Sequence, residues 1–123
     1  MKKILIVEDD KLLIKALGSK LKEKKFKVLE AFDGEEGLEA AKKNKPDLVL
    51  LDLNMPKMDG LTMLKKMRQT DWGADMTIMV LTNYNDKEKV SEALNQYVFR
   101  YLVKSDWDLD QIADEIEKKL KKA

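Results

Sequence analysis

The chain contains neither cysteine nor histidine. Without thiols there is no disulfide and no thiolate metal site, and a reducing, cytoplasmic compartment is compatible. Without imidazole, the usual nucleophile–base pairs of hydrolases are missing, and any chemistry falls to carboxylates, hydroxyls and lysines. Net charge is almost absent as well: 24 Lys and Arg against 23 Asp and Glu leave +1 over 123 residues. Bulk electrostatics therefore offers no reason to invoke nucleic acid or a membrane surface as partner. The longest apolar runs are strand-sized, and the opening Met1 to Asp10 turns acidic too soon for a signal peptide. No repeat, linker or low-complexity tract interrupts the chain, so the expectation is one cytoplasmic domain over residues 1–123.

What is present is organised around Pro46 to Gly60. Asp47 to Leu53 is mostly branched apolar residue, the pattern of a strand buried on both faces in a parallel sheet. One carboxylate, Asp52, is set into that run just before the turn residues Asn54, Pro56, Asp59 and Gly60. An acid at the carboxyl end of a central parallel strand faces the crevice where open α/β sheets bind ligands.

The remaining segments alternate in type. Lys3 to Val7 reads as a strand, followed by Glu8, Asp9 and Asp10 and then a helix carrying Leu12, Leu13, Ala16, Leu17 and Leu21 at helical spacing. Lys27 to Phe32 is a second strand, and Asp33 with Glu36 forms a capping box for a helix closed by Asn44 and Pro46. Asp59 caps a helix from Gly60 to Arg68 with Leu61, Leu64 and Met67 inward, and residues 70–75 form a loop. Met76 to Leu81 is a strand ending at Thr82. Asn85 and Glu88 suggest a helix from Asp86 to Asn95 with Val90, Ala93 and Leu94 inward. Phe99 to Val103 is a fifth strand ending at Lys104. Asp108 and Gln111 box the last helix, whose Leu109, Ile112, Ala113, Ile116 and Leu120 repeat at helical spacing. Met55, Met58, Met63 and Met67 read as packing. Five strands alternating with five helices predict a doubly wound, flavodoxin-like α/β fold with strand order 2-1-3-4-5.

In that order the acids after the first strand converge on Asp52 at the end of the third. Thr82 and Lys104 end the fourth and fifth strands on the same rim. Clustered carboxylates repel unless a cation sits among them, and an all-oxygen donor set points to a hard ion, Mg²⁺ or Mn²⁺. A hydroxyl and an ammonium beside it suit a phosphoryl group. Taken singly, Asp9 and Thr82 also read as helix caps and Lys104 as a solvated strand end. Their joint placement is what those plain readings fail to explain.

The pieces Ile4-Leu5-Ile6-Val7-Glu8-Asp9-Asp10, Asp47 to Gly60 with its D-L-x-M-P-x-M-D-G, Val80-Leu81-Thr82 and Tyr101-Leu102-Val103-Lys104 occur in order, each at a strand end. Over its whole length the chain resembles the receiver domains of two-component response regulators, of the single-domain chemotaxis-regulator kind. The resemblance implies that Asp52 accepts a phosphoryl group from a sensor histidine kinase or phosphotransfer protein, and that the domain catalyses its own phosphorylation and dephosphorylation. It further implies that Asp9 and Asp52 ligate Mg²⁺ directly, Asn54 through its backbone carbonyl and Glu8 through a water. Thr82 and Lys104 would bind the remaining oxygens, Thr82 and Tyr101 would form the switch, and a downstream protein or a second copy would meet the Asp86–Leu120 face. Asp10 falls one place past the family's acid pair and reads as a solvated or capping residue.

The chain departs from the family pattern at several places. Ser105 stands where a proline after a cis bond is usual; a cis bond before a non-proline costs roughly 3–4 kcal/mol, so Lys104–Ser105 is either trans or strained. Asn83 replaces a small residue and, with Asn54 and Tyr84, lines the approach to the aspartate. Tyr97 and Val98 replace a Gly-Ala pair, and since tyrosine at positive φ is uncommon, a different local path is expected. Side-chain alternation from Tyr97 to Val103 places Tyr97, Phe99, Tyr101 and Val103 on one side. A second reading therefore stays open: an engineered or pseudo-receiver scaffold acting only as a binding or self-association module. A flavodoxin-like cofactor protein is disfavoured, because flavin phosphate needs a Ser/Thr/Gly-rich first loop and this one is Glu8-Asp9-Asp10. With no output domain after the last helix, the expectation is a stand-alone protein or a receiver cut from a longer chain.

Overall fold

The computed structural model describes residues 1–82 and 87–121. Its elements run β1 (Lys3–Val7), α1 (Lys11–Glu23), β2 (Lys27–Ala31), α2 (Gly34–Asn44), β3 (Leu48–Asp52) and α3 (Gly60–Arg68). They continue with β4 (Ile78–Thr82), α4 (Lys87–Leu94), β5 (Arg100–Val103), a 3-10 turn (Lys104–Asp106) and α5 (Leu109–Lys121). All strand pairs are parallel, in the order β2-β1-β3-β4-β5. This is the expected doubly wound sheet.

Each central strand sends alternate side chains to opposite faces, and both faces are covered. Ile4, Ile6, Leu48 and Leu50 pack with Leu17, Leu21, Ile112 and Ile116 of α1 and α5. Leu5, Val7, Val49 and Leu51 pack with Met63, Leu64 and Met67 of α3 and with Val90 and Ala93 of α4. Carboxylates start the helices. Asp10 accepts from Leu12 N and Leu13 N, Asp33 from Glu36 N, and Asp59 from Thr62 N. Asp108 and Gln111 exchange the two bonds of a capping box. Among the described residues no helix is long and apolar enough to cross a membrane.

Several sequence expectations are corrected. Leu12 is 81% exposed and Ala16 is exposed, while Ile14 and Gly18 face the core. Capping by Asp10 sets a phase in which positions 14, 17, 18 and 21 share the inner face. Leu94 is 46% exposed because it is the last residue of α4. The strands are shorter than expected: β2 stops at Ala31, β3 spans only Leu48–Asp52, β4 starts at Ile78 and β5 at Arg100. No peptide bond among the described residues is cis, so Lys104–Ser105 is trans within the 3-10 turn.

The largest correction is at Tyr97, which does adopt the left-handed conformation, with φ 60°. The turn keeps its shape because Arg68, at the end of α3, binds it from beneath. Its guanidinium donates to Gln96 O at 2.7 Å and Tyr97 O at 3.1 Å, and to Gly73 O at 2.8 Å. The expected alternation from Tyr97 therefore fails. Val98 joins Tyr101 in the cluster on the α3–α4 side, whereas Phe99 lies beneath the Lys119 ammonium of α5, 4.6 Å from its ring centre.

Candidate functional site: an acidic pocket at the carboxyl rim of the sheet

Strand register assembles the site. Val7 is opposite Leu51, so Glu8 follows beside Asp52, the last residue of β3. Asp52 is opposite Leu81, Thr82 is opposite Val103, and Lys104 comes next. Glu8, Asp52 and Thr82 are only 2%, 2% and 1% exposed, so three of the four buried polar residues described lie on this rim. Buried carboxylates persist only with partners, and here the partners are visible.

Lys104 Nζ lies 2.5 Å from Glu8 Oε1 and 3.3 Å from Asp52 Oδ2. Asp52 Oδ1 accepts from Asn54 N at 3.1 Å, and Glu8 Oε2 accepts from Asp10 N at 3.0 Å. Among the described residues Glu8 Oε1 accepts no directional hydrogen bond, and it lies in charge contact with Lys104. Asp9 is exposed, and oxygens of Glu8, Asp9 and Asp52 all lie within 4.8 Å of one another.

Electrostatics follows from this crowding. Burial, aided by the Asp52 charge and opposed by Lys104, pushes the Glu8 carboxyl up to about 7. Burial likewise raises Asp52, against the Asn54 amide and Lys104. Burial pulls Lys104 down, but its contacts with Glu8 and Asp52 outweigh that and leave it above its ordinary value. One ammonium thus under-compensates three carboxylates. An all-oxygen cluster with surplus negative charge fits a hard divalent cation.

The loop after β3 is built to hold Asp52 in place. Gly60 N donates to Leu53 O at 3.0 Å, and a Cβ at Gly60 would stand 2.0 Å from Asp52 O. Gly34, opening α2, donates to Met58 O at 2.9 Å, and Lys57 approaches Asp33 at 3.6 Å. On the other side, Lys89 of α4 donates to Asn54 Oδ1 at 2.7 Å.

Glu8, Asp9, Asp52, Asn54 and Lys104 are therefore brought together as expected, with Thr82 one strand away on the same rim. Asp10 caps α1. Tyr101 stands apart, half-buried on β5 opposite Val80. Asn83, Tyr84, Asn85 and Asp86 lie outside the described residues. Sequence reading missed Lys89, which resembles any helical lysine. It also took Gly60 for a turn residue only, although its place two residues after Met58 and beside Asp59 was the available signal.

The chain matches the model of the response regulator receiver domain over residues 4–117. It belongs to that family. A curated relative, sporulation initiation phosphotransferase F of Bacillus subtilis, is 30% identical over 118 residues, covering 96% of this chain and 93% of the relative. Other curated relatives are longer transcriptional regulatory proteins, of which the chain spans from 22% to 49%. Among solved structures, the CheY-like receiver domain protein of Methanospirillum hungatei superposes with a TM-score of 0.89 at 26% identity, covering 98% of this chain and 94% of that one. The Mn²⁺-bound form of response regulator Rcp1 gives 0.84 at 29% identity, covering 96% and 93%. The receiver architecture agrees with both structures, and one of them, Rcp1, is a Mn²⁺-bound form.

Proposed function

We propose that this receiver domain is a phosphoacceptor switch in which Asp52 takes a phosphoryl group from a phosphohistidine on a sensor histidine kinase or phosphotransfer protein. The observation that carries the reading is the shared Lys104: one ammonium spans Asp52 and Glu8 at the open rim of the sheet. A carboxylate oxygen of Asp52 attacks phosphorus as the P–N bond to the donor imidazole, protonated on its other ring nitrogen, breaks with its electron pair going to the ring, giving an aspartyl phosphate and a neutral imidazole. Hydrolysis of that acyl phosphate returns Asp52 and inorganic phosphate. Lys104 stays beside the reacting oxygens and offsets their charge, while Thr82 supplies a hydroxyl donor from β4. The Asn54 amide fixes the rotation of the attacking carboxylate.

Asp9 and Asp52 would hold Mg²⁺ or Mn²⁺ directly, Asn54 by its backbone carbonyl and Glu8 through a water. Glu8 suits the indirect role, since both its oxygens are already engaged by Lys104 and the Asp10 amide. The ion, when bound, supplies charge neutralisation between nucleophile and phosphoryl oxygens. Output is assigned to the face of α4, β5 and α5, with Thr82 and Tyr101 as the switch pair.

Incubation with acetyl phosphate and Mg²⁺ followed by intact mass tests the assignment. One phosphoryl group is expected on the wild type and none on Asp52→Asn; retention of the added mass in that variant would remove Asp52 from its role. A pure binding module is favoured by one observation, the exposure of Tyr97 at 87% and Phe99 at 44%. Absence of any mass gain, with self-association in light scattering that Tyr97→Gly and Phe99→Asp abolish, would select that second reading.

A further inference from the structure

We infer that the groove between α2 and α3 is a self-association surface, on which a second copy of this chain docks about a two-fold axis with its α2 antiparallel to this one. The groove encloses about 390 Å³, and no residue of α4, β5 or α5 lines it. Leu38, Met58 and Trp72 form its floor. Each is half-buried, packed against the core on one side and open to the groove on the other. Apolar side chains gathered on an open surface with a charged rim gain by being covered.

The rim decides the occupant. On α2, Glu35, Leu38, Glu39 and Lys42 follow at i, i+3, i+4 and i+7, so the four share one stripe of the helix. The two acids precede the lysine along it, and Lys66 of α3 adds a second cation to the rim. All four charged residues are exposed, and among the described residues none of them forms an ion pair. By contrast, the surface between α1 and α5 closes on itself through Lys20 with Asp110 and Lys24 with Asp114. Two acids and two lysines cancel, so a partner of one sign is attracted at one end of the groove and repelled at the other. The occupant needs both signs in reverse order, and the same stripe offers that order after a two-fold rotation. Glu35 and Lys42 stand two helical turns apart, about 10.5 Å. With the axis beside Leu38, Glu35 of each copy faces Lys42 of the other, and the two Leu38 side chains meet at the centre.

Light scattering over a concentration series tests this on wild type, Glu35→Lys, Lys42→Glu and the double variant Tyr97→Gly with Phe99→Asp. The wild-type mass should climb from 14.2 kDa towards twice that value, and less so near 1 M salt, where the screening length is about 3 Å. Each single substitution turns two attractive pairs into two repulsive ones and should weaken association about tenfold. Mixed in equal amounts, these two variants should associate again, because both pairs at the mixed interface then join opposite charges. Recovery in the mixture also excludes misfolding as the cause of the loss. The Tyr97 and Phe99 double variant should associate as wild type does. A wild type that stays monomeric up to millimolar concentration, or a mixture no more associated than its components, would overturn the inference. So would loss of association in the Tyr97 and Phe99 double variant, which moves the contact to the face of α4, β5 and α5. None of these outcomes bears on Asp52 as acceptor.

Discussion

Gly60 shows how one residue secures the reacting group. The described glycines have no positive φ, and the left-handed positions are filled instead by Lys25, Lys45, Lys57 and Tyr97. Glycine serves here to let backbones approach. At Gly60 an added Cβ would lie 2.0 Å from Asp52 O and 2.9 Å from Leu53 Cα, both backbone atoms that cannot step aside. Gly60→Ala is expected to cost at least about 2 kcal/mol in denaturant unfolding, as overpacking against rigid neighbours does, and to slow acetyl phosphate labelling at Asp52. Glu8 makes a pH prediction. Its carboxyl stands at about 7 in the metal-free fold against an ordinary value of 4.5, so between those values the folded state holds more protons than the unfolded one. Stability from this group is fully present below pH 4.5 and is lost as pH rises through 7. Denaturant midpoints measured in chelator at pH 5 and pH 8 should therefore fall more in wild type than in Glu8→Gln. Equal slopes would contradict the burial argument.

Among the elements, the connection from α4 to β5 stands out, because its shape opposes local preference. A tyrosine at φ 60° carries a left-handed penalty of about 1–2 kcal/mol, and its ring, 87% exposed, gains little in return. The Arg68 clamp on Gln96 O and Tyr97 O sustains the turn from the end of α3. Tyr97→Gly removes the penalty and costs the chain about 0.5–1 kcal/mol of backbone freedom, for a net gain of about 0.5–1 kcal/mol. A melting temperature higher by a few degrees is expected, and a lower one would mean that the ring carries contacts of its own. The motif-based expectation of a rerouted connection failed here for a physical reason. Propensity at a single residue is a preference, and a half-buried guanidinium with several carbonyl acceptors outweighs it.

For the molecule as a whole, the acidic rim should link metal binding to stability. A ligand that binds only the folded state at ten times its Kd adds about 1.4 kcal/mol, which for a domain of this size is about 3–6 °C of Tm. Mg²⁺ should raise the wild-type Tm by that order and leave Asp9→Asn nearly unmoved; an unchanged wild type at millimolar metal would count against the site. The sheet order, both buried faces and the convergence of Glu8, Asp9, Asp52, Thr82 and Lys104 were legible in the sequence. Apolar periodicity and the polar residue closing each strand are local signals, and right-handed parallel crossovers admit few arrangements of them. The phase of α1, which exposes Leu12 and buries Ile14, was not legible, because it depends on which of two adjacent acids caps the helix. Nor were the Arg68 clamp, the bond from Lys89 to Asn54 and the close approach at Gly60. Each joins segments far apart in the chain or depends on atomic spacing, and a one-dimensional pattern carries residue type and period but no distance; only the packed tertiary structure could decide them.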